Sequence, residues 1–183
     1  MHKILILGPQ GSGKGTQADL LAAKLGIPAL SMGQLLREEK ASGSEEGKQI
    51  AAFIDSGQLV TDELTTAVFK KRLTADDVQN GYIIDSFPRF MEQYESSKSF
   101  FEPTAVLVIT VPREESLGRM MKRAEIEQRV DDTPEAIEKR LAWSHDQTQP
   151  VIEAYQERGL AHVIDGIGTV EEVQVRVNEA LKI

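Results

Sequence analysis

Short apolar runs alternate along this chain with longer stretches in which apolar residues recur every three or four positions. Short runs are typical of buried strands, and the longer pattern is typical of helices with one apolar face. Five strands are predicted, at His2–Leu7, Pro28–Ser31, Tyr82–Asp85, Ala105–Val111 and Ala161–Ile164. Helices are predicted at Lys14–Leu25, Gln34–Glu39 onward, Asp62–Leu73, Met91–Ser99, Glu114–Glu127, Pro134–Glu157 and Val170–Leu181. This alternation predicts an α/β protein whose parallel sheet is covered by helices on both faces.

Two segments interrupt the alternation. Residues 31–60 follow a strand but contain only polar helical patterns around Gly43, Gly47 and Gly57, with no crossover strand. Residues 123–132 form a short charged stretch between two predicted helices. Inserted segments beside a ligand site can be moving lids or ordinary surface loops, and the pattern alone leaves both readings open.

A glycine-rich stretch after the first predicted strand carries the clearest chemical signal. It reads Gly8-Pro-Gln-Gly-Ser-Gly-Lys-Gly-Thr-Gln17. Such a loop can turn sharply and point backbone N–H groups inward, while the following helix adds positive dipole and Lys14 adds a full charge. The pattern predicts binding of a nucleoside phosphate. Gly15 occupies the position where the general pattern has Ser or Thr for magnesium, so protein contacts to Mg²⁺ must come largely from elsewhere.

Six arginines are predicted to lie near this loop: Arg37, Arg89, Arg119, Arg123, Arg129 and Arg140. Two of them follow the second and third strands, at the carboxyl edge where α/β sheets bind ligands. Two others stand four residues apart on one helix and project from the same face. A single arginine is usually solvated or ion-paired. Their concentration favours phosphate binding instead, because a guanidinium fork binds two phosphate oxygens at once.

The carboxylates and the absence of an obvious base narrow the chemistry. Asp85 ends an apolar strand, where a carboxylate can orient a magnesium ion or its waters, or can cap a turn. No residue stands out as a base that would take a proton from a hydroxyl acceptor. A phosphate acceptor needs no base, because its oxygens are already ionised. Catalysis then requires alignment of two anions, neutralisation of charge and exclusion of water.

On these motifs the chain resembles the adenylate kinase family of nucleoside monophosphate kinases over nearly its whole length. Besides residues 8–17, the matching segments are Leu30-Ser-Met-Gly-Gln-Leu-Leu-Arg37, Gly57-Gln-Leu-Val-Thr-Asp-Glu-Leu64, Asn80-Gly-Tyr-Ile-Ile-Asp-Ser-Phe-Pro-Arg89, Arg129-Val-Asp-Asp132, Lys139-Arg-Leu141 and Gln147-Thr-Gln-Pro150. The resemblance implies a three-layer P-loop fold with a five-stranded parallel sheet, forming a single domain over residues 1–183. It also implies a helical monophosphate-binding insertion at 31–60, a short lid at 122–132, and the reaction MgATP + AMP ⇌ 2 ADP by direct in-line transfer.

The resemblance also implies roles for individual residues. The donor ATP is expected to contact Gly11, Ser12, Gly13, Lys14, Gly15, Thr16, Arg119, Arg123 and Gly168, and the backbone of Gly168 is expected to meet the donor adenine. The acceptor AMP is expected to contact Ser31, Met32, Arg37, Gln58, Leu59, Val60, Ser86, Phe87, Pro88, Arg89, Gln93, Arg129 and Arg140. The catalytic groups are expected to be Lys14, Asp85, Arg89, Arg119, Arg123, Arg129 and Arg140, with Asp85 holding Mg²⁺ through water. Gln93 would recognise the adenine edge, since an amide both donates and accepts.

Four positions depart from the family pattern. Met32 and Phe90 stand where members usually have Thr, Gln34 where they have Asp, and Ser86 where they have Gly. Met32 lies beside the expected acceptor base. The alternative that the protein is a kinase for another monophosphate, such as UMP or CMP, therefore remains. The lid segment also lacks the family's common glycines. Together with the other departures, this leaves a second alternative, a nucleotide-binding regulatory module with weakened catalysis.

Composition excludes several other classes. The chain has 183 residues, enough for one sizeable core, and no Cys, which excludes disulfides, thiolate metal sites and the zinc-bearing long lid of some relatives. A net charge of -8 argues against non-specific binding to nucleic acid or anionic membranes. No apolar run is long enough for a membrane span or a signal peptide. From these features we expect a cytoplasmic protein without zinc. The family resemblance further implies a monomer that binds ATP, AMP and ADP with Mg²⁺.

Overall fold

The protein is built around a single parallel sheet. The computed structural model describes residues 1–56, 58–127 and 134–183. Within these ranges it does not describe the side chains of 123–127, 134–136, 139–140 and 143–145. In these ranges the sheet has five strands in the order β2-β3-β1-β4-β5. They are β1 (His2–Leu7), β2 (Ala29–Ser31), β3 (Gly81–Asp85), β4 (Ala105–Thr110) and β5 (Ala161–Asp165). The predicted all-parallel sheet is confirmed. The observed strand ends differ from the predicted ones by at most one residue, because a strand ends where its hydrogen-bonded pairing ends.

Eight α-helices lie in the described ranges. They are α1 (Lys14–Leu25), α2 (Met32–Ala41), α3 (Glu45–Asp55), α4 (Asp62–Arg72), α5 (Met91–Ser97), α6 (Arg113–Glu127), α7 (Pro134–Glu157) and α8 (Val170–Leu181). A 3₁₀ turn at Asp76–Val78 was not predicted. The helix α2 begins two residues earlier than predicted, because Ser31 ends β2 and is also the N-cap of α2. None of the described helices combines the length and apolar character that crossing a bilayer requires.

The sheet has an apolar cluster on each face. Successive side chains of a strand point to opposite faces, and β1 follows this rule. Leu5 and Leu7 lie in one cluster with Phe69 of α4, whereas Ile4 and Ile6 lie in the other. The second cluster includes side chains of α1 and α8, and the first includes those of α3, α4, α5 and α7. This is the predicted three-layer arrangement, with helices on both faces of the sheet.

A buried carboxylate joins the helices of the predicted insertion to α4. Glu39 of α2 accepts hydrogen bonds from Ser44 Oγ at 2.6 Å and from Lys71 Nζ at 2.9 Å. A Cβ on Gly47 would stand 2.2 Å from the Glu39 carbonyl oxygen, so α2 and α3 approach closely there. The hydrogen bond from Ser44, followed by that from Lys71, lowers the pKa of the Glu39 carboxyl below its ordinary 4.5. Glu39 therefore fixes α2, the start of α3 and α4 relative to one another.

We expect Glu39→Gln to lower the free energy of unfolding at neutral pH by about 1–3 kcal/mol, since Ser44 and Lys71 would lose a charged acceptor. The folded-state pKa of Glu39 is depressed, so its stabilisation is complete above pH 4.5 and is lost as the pH falls through the folded-state pKa. Urea unfolding from about pH 7 to about pH 3 should show the deficit of the variant fading in acid.

Glu95→Gln is the matched control, because the Glu95 carboxylate pairs with Lys98 at 2.8 Å on the exposed surface. That variant should change the free energy of unfolding by under about 1 kcal/mol. A deficit in Glu39→Gln that is equally small, or that persists unchanged in acid, would contradict the role of Glu39.

Candidate active site

The loop of residues 8–14 connects β1 to α1 and lies unusually close to its neighbours. A Cβ on Gly8 would stand 2.1 Å from the Ile109 carbonyl oxygen, and one on Gly11 would stand 2.6 Å from that of Ser116. Both glycines also have left-handed backbone angles, with φ of +141° and +78°. Larger residues would therefore clash at both positions. The loop can turn in front of the sheet only because these two positions are glycine.

The polar groups of this phosphate loop (residues 8–14) are suited to an anion. Lys14 Nζ donates to the Pro9 carbonyl at 2.8 Å, so the ammonium lies over the loop itself. Ser12 is 1% exposed, and its buried hydroxyl has no hydrogen-bond partner among the described residues. A buried polar group without a partner costs free energy, which a phosphate oxygen would offset. The geometry therefore fits the predicted phosphate site.

A cavity of about 600 Å³ opens beside the phosphate loop, a size suited to a small-molecule ligand. Its walls come from the phosphate loop and α1, from α6, and from the turn between β5 and α8. It is lined by Ser12, Gly13, Thr16, Gln17, Glu115, Gly118, Arg119, Lys122, Gly166, Gly168, Thr169, Val170 and Val173. Five of the predicted donor residues therefore share one cavity, which we call the donor cavity.

Arg119 links three parts of the donor cavity. Its Nη1 donates to the Ser12 carbonyl at 3.4 Å, and its Nη2 donates to the Gly166 carbonyl at 3.1 Å. Its Nε donates to Glu115 Oε1 at 2.7 Å, one turn earlier on α6. The guanidinium is thus oriented between the phosphate loop and the β5–α8 turn, as a donor-side cation would need to be.

The turn after β3 forms a second cluster next to the phosphate loop. Asp85 pairs with Ile6 of β1 and with Ser31 of β2. Ser86 Oγ donates to Asp85 Oδ1 at 2.6 Å, and the Ser86 N–H donates to the Ile6 carbonyl at 3.1 Å. Arg89 Nε donates to the Ser86 carbonyl at 2.9 Å. These contacts bring the predicted magnesium carboxylate and the predicted acceptor arginine together at the end of β3.

Arg89 has the environment of an anion-binding cation. Burial lowers the pKa of its guanidinium, and the Asp85 carboxylate only opposes this shift. The guanidinium nevertheless stays charged at neutral pH. Arg89 is half-buried, and a guanidinium that is partly withdrawn from water favours a bound anion. Arg89 therefore meets the requirement for a phosphate ligand on the acceptor side.

The other predicted acceptor residues differ in their surroundings. Met32 is buried in the apolar core, whereas Arg37 is exposed on α2. Phe87 and Pro88 are buried beside Arg89. Gln58, Leu59 and Val60 connect α3 to α4, and Leu59 is 55% exposed.

The Gln93 amide has a protein partner at each end: Oε1 accepts from the Arg89 N–H at 2.8 Å and Nε2 donates to Asp62 Oδ1 at 2.7 Å. Base recognition by Gln93 would require one of these bonds to be exchanged.

The side chains of three predicted arginines are not described. Arg123 and Arg140 lie on α6 and α7, but their side chains are not described, and Arg129 lies in the undescribed range 128–133. Their roles, and those of the proposed lid at 122–132 and the insertion at 31–60, stay predictions. Gln34 donates to Glu38 Oε1 at 2.8 Å on the surface of α2, which is an ordinary helix contact.

Several residues that line the donor cavity were not predicted from the sequence. Glu115 and Lys122 were absent from the predicted site, although they lie four residues before and three residues after Arg119, on one helix face. That spacing was a usable signal. Gln17 was also missed as a site residue, and its Nε2 donates to the carbonyl of Val170, another residue that lines the cavity, at 3.0 Å. No local pattern indicates that contact, because it joins α1 to α8.

Asp85 is the carboxylate that the sequence predicts beside a magnesium ion. Within the described residues, no group of three or more His, Asp or Glu side chains could hold an ion. Mg²⁺ typically keeps several waters and takes one or two carboxylates together with substrate phosphates. Asp85, at the strand end beside the phosphate loop, fits that kind of site.

The fold and the site together define a P-loop nucleotide-binding protein. A family model described as adenylate kinase matches residues 6–160. Adenylate kinase from Thermobifida fusca is 40% identical over 98% of both chains. Adenylate kinase from Stenotrophomonas maltophilia strain R551-3 is 41% identical over 98% of this chain and 99% of the relative. That from Bifidobacterium longum is 39% identical over 96% and 97%. The chain therefore belongs to the adenylate kinase family, and the resemblance seen in its motifs is confirmed.

The strain at Ser86 can be separated from its hydrogen bond. Ser86 has φ of +69°, a left-handed conformation that costs a residue with a Cβ about 1–2 kcal/mol. Ser86→Ala removes the hydroxyl and keeps the strain, so we expect it to lower the free energy of unfolding by about 1 kcal/mol. Ser86→Gly removes both, so it should be more stable than Ser86→Ala by about 1 kcal/mol in urea unfolding. Equal stability of the two variants would show that the backbone is not strained there.

Proposed function

We propose that this protein is an adenylate kinase, which transfers the γ-phosphoryl group of ATP to AMP and gives two ADP. The observation that carries the proposal is the pairing of Ile6 with Asp85. It sets the end of β1, which leads into the phosphate loop, beside the turn that holds Arg89. Adjacent strands lie about 4.8 Å apart. A donor on the phosphate loop and an acceptor phosphate at Arg89 would therefore face each other across a short gap.

The residues of this chain would act by binding and orientation. Lys14 and the loop N–H groups would hold the donor phosphates once Lys14 exchanges its bond to Pro9 for a phosphate oxygen. Arg119 would hold the donor from α6. The Nε of Arg89 already donates to Ser86, which orients the guanidinium, and the Nη groups would bind the acceptor phosphate. No base is needed, because the attacking phosphate oxygen is already ionised.

Magnesium belongs to the same proposal. It would neutralise charge on the donor phosphates, and Asp85 would hold it through water. The hydrogen bond from Ser86 Oγ to Asp85 Oδ1 orients the carboxylate.

The insertion at 31–60 and the lid at 122–132 would close over the nucleotides and exclude water, which otherwise competes with AMP as the phosphoryl acceptor. We assign the enzyme to the cytoplasm as a monomer.

Initial rates with MgATP against AMP, UMP, CMP and GMP test the proposal directly. We expect AMP to give the highest kcat/KM, with turnover of about 1–100 s⁻¹. Product analysis should show two ADP for each AMP consumed. A pyrimidine monophosphate as the best substrate would instead favour a UMP/CMP-type kinase, with Met32 as the first residue to examine. ATP binding without turnover on any of the four would favour a regulatory module.

Arg89→Ala should lower kcat/KM for AMP by ~10²–10⁵, the range expected when an arginine that neutralises a phosphoryl group is lost. Arg113→Ala is the matched control, because Arg113 is exposed at the start of α6 and is not part of the site. The control should stay within about twofold of the parent in kcat/KM. A loss below about tenfold in Arg89→Ala would contradict the role of Arg89 in phosphate binding.

A further inference from the structure

The turn between β5 and α8 is held by an arginine that takes no part in the cavity. This turn, residues 165–169, includes Gly168, which the family resemblance assigns to the donor adenine. We call it the donor-base turn. The inference below rests on the proposed function, because it concerns how the donor base is bound.

One side of the donor-base turn is packed against the end of β4. The Gly166 N–H donates to the Thr110 carbonyl at 2.8 Å. A Cβ on Gly166 would stand 2.8 Å from both Ile109 Cγ2 and Val111 Cγ1. Real Cβ atoms do not approach other atoms this closely, so the turn lies as near to the sheet as glycine allows.

The other side of the turn is held by two guanidinium groups. Arg176 Nη1, from the middle of α8, donates to the Asp165 carbonyl at 2.7 Å and to the Ile167 carbonyl at 2.5 Å. The carbonyl between them, that of Gly166, accepts from Arg119 Nη2 at 3.1 Å. Three consecutive carbonyls are thus fixed by cations from α8 and α6. Hydrogen bonds from charged donors are stronger than those from neutral ones.

The residue after Gly168 is fixed as well. The Thr169 N–H donates to Glu172 Oε2 at 2.8 Å, and Thr169 Oγ1 accepts from the Glu172 N–H at 3.2 Å. This capping box sets where α8 begins. Gly168 therefore lies between two fixed points, the carbonyls held by Arg176 and the capping box. Its backbone has φ of +119°, a conformation that few other residues adopt.

We propose that Arg176 is a positioning residue for the donor base. By holding the Asp165 and Ile167 carbonyls, it keeps the Gly168 backbone at the wall of the donor cavity, where the base of ATP binds. Arg176 is not among the residues that line the cavity, so it acts through the turn alone. Arg119 differs, because it lines the cavity and also contacts the phosphate loop.

The test separates the base from the phosphates. Inorganic tripolyphosphate carries the phosphates of ATP without the ribose and the base, so it reports on the phosphate-binding groups alone. We would measure the Kd of ATP and of tripolyphosphate by calorimetry for the parent, Arg176→Met and Arg176→Lys, together with KM for ATP and AMP. The lysine can still donate to both carbonyls, and it covers the case in which the methionine variant folds poorly.

Arg158→Met is the matched control. Arg158 is an exposed arginine that precedes β5, whereas the donor-base turn follows β5, so the two lie at opposite ends of one strand. Its guanidinium contacts Tyr94 and Glu102, away from the donor cavity. The control therefore removes a hydrogen-bonded guanidinium without touching the donor-base turn.

We expect Arg176→Met to raise the Kd and KM of ATP by about 5–30-fold, while the Kd of tripolyphosphate, the KM of AMP and the kcat change by less than about twofold. Arg176→Lys should give a smaller rise, and Arg158→Met none. An unchanged Kd for ATP, or equal losses for ATP and tripolyphosphate, would overturn the inference. If ATP shows the expected pattern but AMP is not phosphorylated, the inference stands and the proposed reaction fails.

Discussion

The steric constraint at three glycines underlies the whole site. Gly8 and Gly11 let the phosphate loop lie against the end of β4 and the start of α6, and Gly166 lets the donor-base turn lie against β4. Each position would place a Cβ within 2.8 Å of a neighbouring atom. Because the loops after β1 and β5 both approach β4 this closely, one arginine of α6 can reach both of them. The donor cavity is therefore a consequence of close backbone approach, and its side chains complete what the glycines permit.

The polar groups around the phosphate loop are incompletely satisfied, in contrast to the apolar packing on both faces of the sheet. Among the described residues, buried side-chain oxygens without a partner occur on Gln10, Ser12, Gln17 and Ser116, with one further case on Gln174 of α8. The first three belong to the glycine-rich stretch, and Ser116 lies against Gly11. Each buried group without a partner costs about 1–3 kcal/mol. The loop thus keeps hydrogen-bonding capacity that a nucleotide phosphate would use, which couples ligand binding to the stability of the fold.

The sequence predicts those parts of the molecule that local pattern controls. The bounds of β1, α1, α7 and α8 match the prediction, because an apolar run, a helical period and clear end signals coincide there. The phosphate loop is predicted for the same reason. Contacts between distant segments are not predictable in this way. Glu39 and Arg176 look like ordinary charged positions on helices, yet one is buried against Lys71 and the other holds the donor-base turn. Both depend on which helices meet, which a pattern read along one chain does not encode.

Ser86 shows how a departure from the family pattern can be tolerated and still affect the site. Its left-handed backbone would favour glycine, but hydrogen bonds hold its N–H, its carbonyl and its hydroxyl, to Ile6, Arg89 and Asp85. The first two bonds involve the backbone, so a glycine would keep them. Only the bond to Asp85 belongs to the serine itself. That bond occupies part of the carboxylate that the proposed mechanism assigns to magnesium and its waters. The substitution therefore acts on the orientation of Asp85. Within the proposed mechanism it would affect magnesium binding more than nucleotide affinity, because the cations proposed to bind phosphate keep their places.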